Sequence, residues 1–442
     1  MCSPIFNPVL MGCAASNPNN GEDRSIVAGN MGKGAMLTSK SGQTIGFFSY
    51  HGWENKREFM SVENTVRPKI NQDRVFITPK VCESSTSWLL AVYDGNGPSG
   101  HKVAQQAGAG IVQCIEGHPQ QVSDKGSDVA KVLKEAFVET DRNVCKLMMA
   151  SRSGTTATVV VVQDLTTLHV ANVGDSHAVL GKLAGDKWVA TKLTSDHSPL
   201  DPEEKARIEG AGGFVFNEEQ YGAARVYDSP DPIAQMAAMG AVGGAVAIGA
   251  DSVAPPWPGL AMSRCIGHTG VNSIGIIAEP SVSTYNLVDD DKVLIIASDG
   301  VWDYIDMEKA CQLAMAYAPD AHSACKAIVE TASQLWVEDD PTYRDDISCV
   351  VVYLPIEASL ASSLAHETVE YTEDSAIALN PADLEAKVDE SDTRSPFFAE
   401  GAPAPGAGAT STDDATSELA RKKALIKASK EQQKRSVVTR FG

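Results

Sequence analysis

Short apolar runs alternate along the chain with polar, glycine-punctuated stretches, and the runs carry two different periods. Ile45–Tyr50, Asp73–Ile77, Trp88–Tyr93, Thr155–Val162, Thr167–Val173, Ala178–Leu183 and Trp188–Leu193 are short, rich in β-branched or aromatic residues and bounded by turn residues, which predicts strands. Further strands are expected near Ile274–Ala278, at Lys292–Ala297 and at Ile347–Leu354. Helical spacing appears in His101–Ile115 and in Asp128–Met149, where Val129, Val132, Leu133, Ala136, Phe137 and Val144 share one face. Asp201-Pro202 opens another helix, with Asp as N-cap and Pro in the first turn, ending near Gly212-Gly213. Met307–Tyr317 and Ala321–Val337 complete the helices. Strands in runs, interleaved with helices but without a regular strand–helix–strand repeat, predict an α+β layered domain.

The flanks read differently. Residues 1–44 are rich in Gly, Asn, Ser and Met, show no period and are expected to be disordered. The ordered domain is expected over 45–356. Within it, residues 228–258 are dominated by Pro, Gly, Ala and Met and nearly lack charge, so they read as an inserted flap loop. Residues 357–416 predict a solvated linker. Residues 417–442 form a basic, helix-prone tail, either a docking element or a solvated helix. Met11-Gly12-Cys13-Ala14-Ala15-Ser16 would be a myristoylation signal beside a palmitoylatable Cys13 if translation began at Met11, and two acyl chains would then hold the protein at a membrane. The alternative is a chance match in a small-residue segment.

Composition narrows the function. The chain has 442 residues, 43% hydrophobic and 21% charged, which is ordinary for a globular protein. Its net charge of −20 argues against general nucleic-acid binding. It leaves a phosphorylated substrate open, because bound divalent metals reverse the local sign. Nine scattered cysteines without a C-x-x-C pair predict reduced thiols, hence the cytoplasm or nucleus. No apolar run reaches membrane-spanning length, so membrane contact is expected only through acylation at Gly12 and Cys13. A monomer is expected.

The chemistry-bearing pattern is acidic. Val293–Tyr304, VLIIASDGVWDY, is a buried strand running into Asp299, with Asp303 four positions later. The two acids are either hard oxygen ligands for Mg²⁺ or Mn²⁺ or caps of the next helix. Comparable acids recur beside turns at other strand ends: Asp73, Asp94, Asp175 and Asp345-Asp346. If the strands align, these ends converge, and clustered carboxylates cannot stay ionised together without cations between them. No His/Cys set suggests zinc. A pair of hard metals provides a nucleophile near neutral pH and a clamp for a phosphoryl oxygen. Phosphate-ester hydrolysis, among the slowest uncatalysed reactions, needs such a site.

The ordered set Asp94-Gly95-x-Gly, Ser153-Gly154-Thr155-Thr156-Ala157, Ala171-Asn172-Val173-Gly174-Asp175-Ser176, Gly259–Arg264, Ala297–Asp303 and Arg344–Ser348 resembles the protein phosphatase 2C family of metal-dependent Ser/Thr phosphatases, over about residues 45 to 356. The order and spacing together make the match specific. The resemblance, to a plant- or protist-like variant, implies two packed antiparallel β-sheets flanked by helices, a four-layer α-β-β-α sandwich. It also implies two Mg²⁺ or Mn²⁺ at one sheet edge, with a water between them as nucleophile, and phosphorylated proteins as substrates. Matched residue by residue, Asp94 would bridge the metals and Gly95 would bind one through its carbonyl. Asp299 and Asp345 would ligate the other, and Asp73 would hold metal-bound water. Asp175 and Asp303, with Asp299 shared, match a weaker third-metal site. The 228–258 insertion falls where the family places its variable flap.

The departures matter as much. Asn96 stands where the family has a His proposed as general acid, and Asn has no ionisable proton to give. Weak turnover of alkyl phosphates is therefore expected, with less loss on aryl phosphates, and Asn96→His is expected to gain activity on a phosphopeptide. His101 is a substitute acid or simply a helix N-terminal His. Gly267-His268 replaces the usual Gly-Asp, and Gln72 the usual Glu. For phosphate binding, Arg67 lies one place out of register, and Lys69 and Arg74 are rivals. Two functions follow: a Ser/Thr phosphatase, or a pseudophosphatase that binds phosphoproteins with weakened catalysis. A structural Ca²⁺-binding domain is a third, opposed by the absence of EF-hand spacing.

Overall fold

Trp88–Tyr93, WLLAVY, has no polar position, and the reason is that both faces of this strand are covered. Trp88, Leu90 and Val92 point into one apolar core, and Leu89, Ala91 and Tyr93 into another. The computed structural model describes residues 26–28, 33–38, 44–56, 65–84, 86–123, 128–185, 187–216, 224–231 and 259–356. The chain divides into two units, Met1–Tyr371 and Thr372–Gly442. All described residues belong to the first. Gly12, Cys13, the flap from 232 to 258, the linker and the basic tail lie outside them.

Two six-stranded sheets, antiparallel throughout, form the centre. In spatial order the first is Ile26–Ala28, Arg74–Pro79, Trp88–Tyr93, Ala157–Gln163, Thr167–Val173 and Ser281–Asn286. The second is Lys187–Lys192, His177–Ala184, Asp291–Ala297, Ile347–Tyr353, Thr44–Tyr50 and Lys33–Thr38. The inner faces meet through Val75, Ile77, Trp88, Leu90, Val160 and Val170 on one side and Ile45, Phe47, Leu180, Leu294, Ile296 and Val350 on the other. Helices Gly100–Glu116 and Val129–Val144 cover the outer face of the first sheet. Helices Met307–Ala316 and Ala321–Asp339 cover that of the second. This is the expected α+β sandwich of two antiparallel sheets between helices.

Several expectations are corrected. Residues 1–44 are not uniformly without structure: Ile26–Ala28 and Lys33–Thr38 extend the two sheets by pairing with Val75–Ile77 and Thr44–Ser49. They add edge strands, which need no continuous apolar run. The strand expected near Ile274–Ala278 is instead a single 3-10 turn, Asn272–Ile274, and one bridge, Arg264 to Ile277. The sheet's edge is the polar Ser281–Asn286, which lies partly exposed and so lacks a hydrophobic signal. The helix expected to Met149 ends at Val144. The helix from Pro202 starts as expected, with the Asp201 carboxylate accepting from the Glu203 and Glu204 amides, and ends at Gly210.

Sheet and helix backbones come into close contact at Gly46. A Cβ there would lie 2.4 Å from the Ala321 carbonyl carbon, which belongs to backbone and cannot swing aside. Gly46→Ala therefore forces the Thr44–Tyr50 strand and the Ala321–Asp339 helix apart. The expected cost is about 1–3 kcal/mol, seen as a lower midpoint in urea unfolding. An unchanged midpoint would show that this contact is looser than described.

Candidate active site: a buried carboxylate cluster

Strand register brings the acidic strand ends to one edge. Arg74 pairs with Tyr93, so Asp73, just before one strand, lies beside Asp94, just after the next. Val92 pairs with Thr158 and Ala157 with Val173, which adds the Gly174-Asp175 turn to the same edge. In the second sheet, His177 pairs with Ala297, Ala297 with Cys349, and Ile347 with Tyr50. Asp299 and Asp345-Asp346 therefore leave their strands at the matching end. The sheets are packed face to face, and the two sets of acids meet.

The backbone of Asp94 is pinned from both sides. Its N–H donates to Thr156 Oγ1 at 3.0 Å, and its carbonyl accepts from the Thr156 amide at 2.8 Å and from Thr155 Oγ1 at 3.0 Å. Asp299 opens a one-turn helix, Asp299–Trp302, behind Ser298, and the side chain that caps the next helix, Met307–Ala316, is that of Asp306. Ser298 Oγ donates to Asp73 Oδ2 across the sheets at 2.8 Å and accepts from the Ser348 amide at 3.1 Å.

Burial and mutual repulsion set the protonation. Asp94 is raised well above the ordinary carboxylate value by burial, then by Asp73, Asp299 and Asp345. Asp299 is likewise raised by burial, then by Asp175, Asp345 and Asp303, and the two share a hydrogen bond. Burial, reinforced by Asp346, pushes Asp73 up to about 7 against the pull of its serine hydrogen bonds. Burial raises Asp175 to about 6, with Asp303, Asp196 and Asp345 adding to it. Asp73 Oδ1, Asp175 Oδ1 and Asp299 Oδ1 are buried without a hydrogen-bond donor.

Asp345-Asp346 is anchored by its own set of partners. Asp346 accepts from the Gly52 amide at 2.6 Å and the Gln72 amide at 2.9 Å. Lys69 Nζ donates to Asp345 Oδ1 and lies 3.6 Å from Asp346 Oδ2, and the Tyr343 hydroxyl donates to Asp345 Oδ2 at 3.0 Å. Burial opposes the Lys69 charge, but these carboxylates outweigh it and hold the ammonium well above the ordinary lysine value. Behind the turn, Arg344 is 1% exposed, its guanidinium 4.1 Å from the Tyr50 ring and 3.8 Å from the Trp53 ring. Its backbone exchanges two 3.0 Å hydrogen bonds with Trp53.

A sequence profile described as Protein phosphatase 2C matches residues 51–340. The chain belongs to the protein phosphatase 2C family. Probable protein phosphatase 2C 64 of Oryza sativa subsp. japonica is 30% identical over 304 residues, 65% of this chain and 63% of its own length. Probable protein phosphatase 2C 61 of Arabidopsis thaliana is 32% identical over 272 residues, 60% of this chain and 75% of its own. This chain spans somewhat under two thirds of two such relatives, 63% and 64% of their lengths. The crystal structure of a serine-threonine phosphatase 2C from Toxoplasma gondii shares the fold, with a TM-score of 0.58 at 17% identity, over 74% of this chain and 98% of that one.

The protein phosphatase 2C family is metal-dependent, and the donor set here suits hard divalent cations: carboxylates only, most of them buried or half-buried, mutually repelling, three with an unsatisfied buried oxygen. Asp94, Asp299, Asp73, Asp175 and, at the exposed rim, Asp303 suit such a cation in donor type. Among the described residues no three His, Cys, Asp or Glu side chains stand close enough together to hold a metal ion as they are. Asp345 has both oxygens engaged, so it would have to exchange Lys69 for a metal.

Of the three phosphate-binding candidates, Arg74 donates to the Asn71 and Asp73 carbonyls and to Gln105 Oε1, which ties it to the Asn71–Asp73 turn and the following helix. Lys69 faces Asp345. Arg67 lies on the Thr65–Pro68 strand opposite Glu54. The cross-sheet roles of Ser298, Arg344 and Gln72, whose side chain donates to the Gly97 carbonyl at 2.7 Å, have no periodic signature in sequence. Only the position of Ser298 and Arg344 inside motifs, and of Gln72 at a departure from the family pattern, could have flagged them.

A carboxyl raised on folding holds its proton in the native state after the unfolded chain has released it. Native stability is then lost as pH rises between the two values, here from 3.8 toward about 7 for Asp73. The metal-free protein is expected to melt several degrees lower at pH 7.5 than at pH 5. Excess Mg²⁺ should remove most of that slope, and Asp94→Asn should flatten it without metal. A metal-free melting temperature that rises with pH across this window would contradict the clustering described.

Proposed function

We propose that the protein hydrolyses phosphoserine and phosphothreonine esters in proteins, using two Mg²⁺ or Mn²⁺ and a weaker third. The observation that carries this is the gathering of Asp94, Asp299 and Asp345 at one sheet edge, although they are scattered along the chain. Such repulsion has no stabilising use unless cations relieve it. When bound, the cations supply water activation near neutral pH and charge stabilisation at the phosphoryl group. Asp94, Gly95 and Asp299 would hold them, Asp345 after release of Lys69. Asp73 accepts from Ser298 and is suited to orient a water by its free Oδ1. Asp175 and Asp303 would hold the weaker ion. Lys69, once freed from Asp345, would be available for phosphate; Arg67 is the second candidate, on the neighbouring strand.

One observation favours the alternative, a phosphoprotein-binding pseudophosphatase. Lys69 already neutralises Asp345 and Asp346, so part of the cluster is balanced without metal. The seven described cysteines are free thiols, which suits a reducing compartment. Among the described residues no helix is long and apolar enough to cross a membrane.

The two readings separate in one assay: Mn²⁺-dependent hydrolysis of an aryl phosphate and of a phosphothreonine peptide. The wild type is expected to turn over both, the aryl ester faster. Asp299→Ala should lower kcat/KM by about 10²-fold or more on each. No turnover at any Mn²⁺ concentration, together with tight peptide binding, would establish the binding module instead.

A further inference from the structure

Asn96 and His268, which stand 172 positions apart, are hydrogen-bonded to each other through Asn96 Oδ1 and His268 Nε2. A small three-stranded ribbon brings them together: Gly154 pairs with Asn96 on one side and with Gly267 on the other. With the amide oxygen as acceptor in this pair, Nε2–H of the imidazole is the donor. Burial keeps that ring neutral, its pKa lowered to about 4. The other end of the amide, Nδ2, is buried and has no acceptor, one residue from Gly95 and two from Asp94.

The contact is built at a cost. His268 has φ of 51°, a left-handed conformation that non-glycine residues seldom adopt, and Gly267 before it has φ of 93°. A Cβ on Gly154 would sit 2.3 Å from the His268 ring, so the imidazole occupies the place of a side chain. Backbone strain of this kind persists where the surroundings over-determine it, and it clusters at functional sites.

We propose that His268 is a positioning residue that locks the Asn96 amide, so that its Nδ2–H group donates to a phosphoryl oxygen of the bound substrate. This rests on the phosphatase reading. Asn96 then stabilises charge as a fixed neutral donor and moves no proton; the leaving oxygen takes its proton from solvent. The two departures from the family pattern are thus one device. Asn96→His alone sets a second imidazole against His268, so the gain expected from sequence should not appear.

The test uses the full chain with Mg²⁺. Asn96→Asp keeps the acceptor and removes the donor, and should lower kcat on an aryl phosphate by about 10²-fold with little change in KM. His268→Ala should lower kcat roughly 10-fold, and His268→Gln, which retains an N–H donor, should recover most of it. The double variant Asn96→Ala/His268→Ala should be no slower than Asn96→Ala, since the second residue acts through the first. Independently of turnover, the Asn96 side-chain amide ¹⁵N–¹H signals should shift on adding inorganic phosphate in the wild type and His268→Gln, but not in His268→Ala. Additive losses in the double variant, or wild-type amide signals that ignore phosphate, overturn the proposal. Phosphate-induced shifts in a chain that hydrolyses no ester would uphold the pair as a phosphate holder while removing the hydrolase reading.

Discussion

Negative charge confined to a small buried volume is the constraint around which this molecule is arranged. Asp94 and Asp299 are close enough to share a hydrogen bond, and each also feels further acids from both sheets. Isolated in a low-dielectric interior, such a group cannot remain fully ionised. The surroundings respond in three ways: the proton affinities of Asp73, Asp94, Asp175 and Asp299 are raised, Lys69 neutralises the Asp345-Asp346 turn, and backbone N–H groups of Gly52 and Gln72 hold Asp346. Divalent cations are the remaining remedy, and the metal dependence of the family follows the same physics.

Holding like charges together requires a scaffold that does not yield. The sandwich supplies it, because its strands are buried on both faces and cannot slip in register without turning an entire core face outward. Cross-sheet ties are concentrated at the acidic edge: Ser298 to Asp73, and a hydrogen-bonded chain from Asn71 through Ser49 to Ser348. Arg344, sandwiched between Tyr50 and Trp53, fixes the turn that carries Asp345. These contacts do little for the cores and much for the placement of the acids.

The Asn96–His268 contact belongs to a separate ribbon that joins the loop after Asp94 to the segment after Arg264. Its geometry depends on Gly154 and Gly267 as much as on the two side chains. Metal-side and amide-side features of the site are thus carried by different parts of the fold. Either could change while the other is retained.

Hydrophobic pattern alone determined most strands and helices, because burial on a pleated or helical surface imposes a local period: Trp88–Tyr93 and Thr167–Val173 begin and end where their runs do. It also singled out the acids, since an Asp beside Gly after an apolar run is visible locally. Edge strands such as Ser281–Asn286 escaped, because half-exposed positions need no apolar residue. Only the tertiary structure decided that the acids meet, that Lys69 faces Asp345, and that Asn96 faces His268. Those outcomes depend on register between strands far apart in the chain, and no local period encodes which distant side chain fills the space beside a given one.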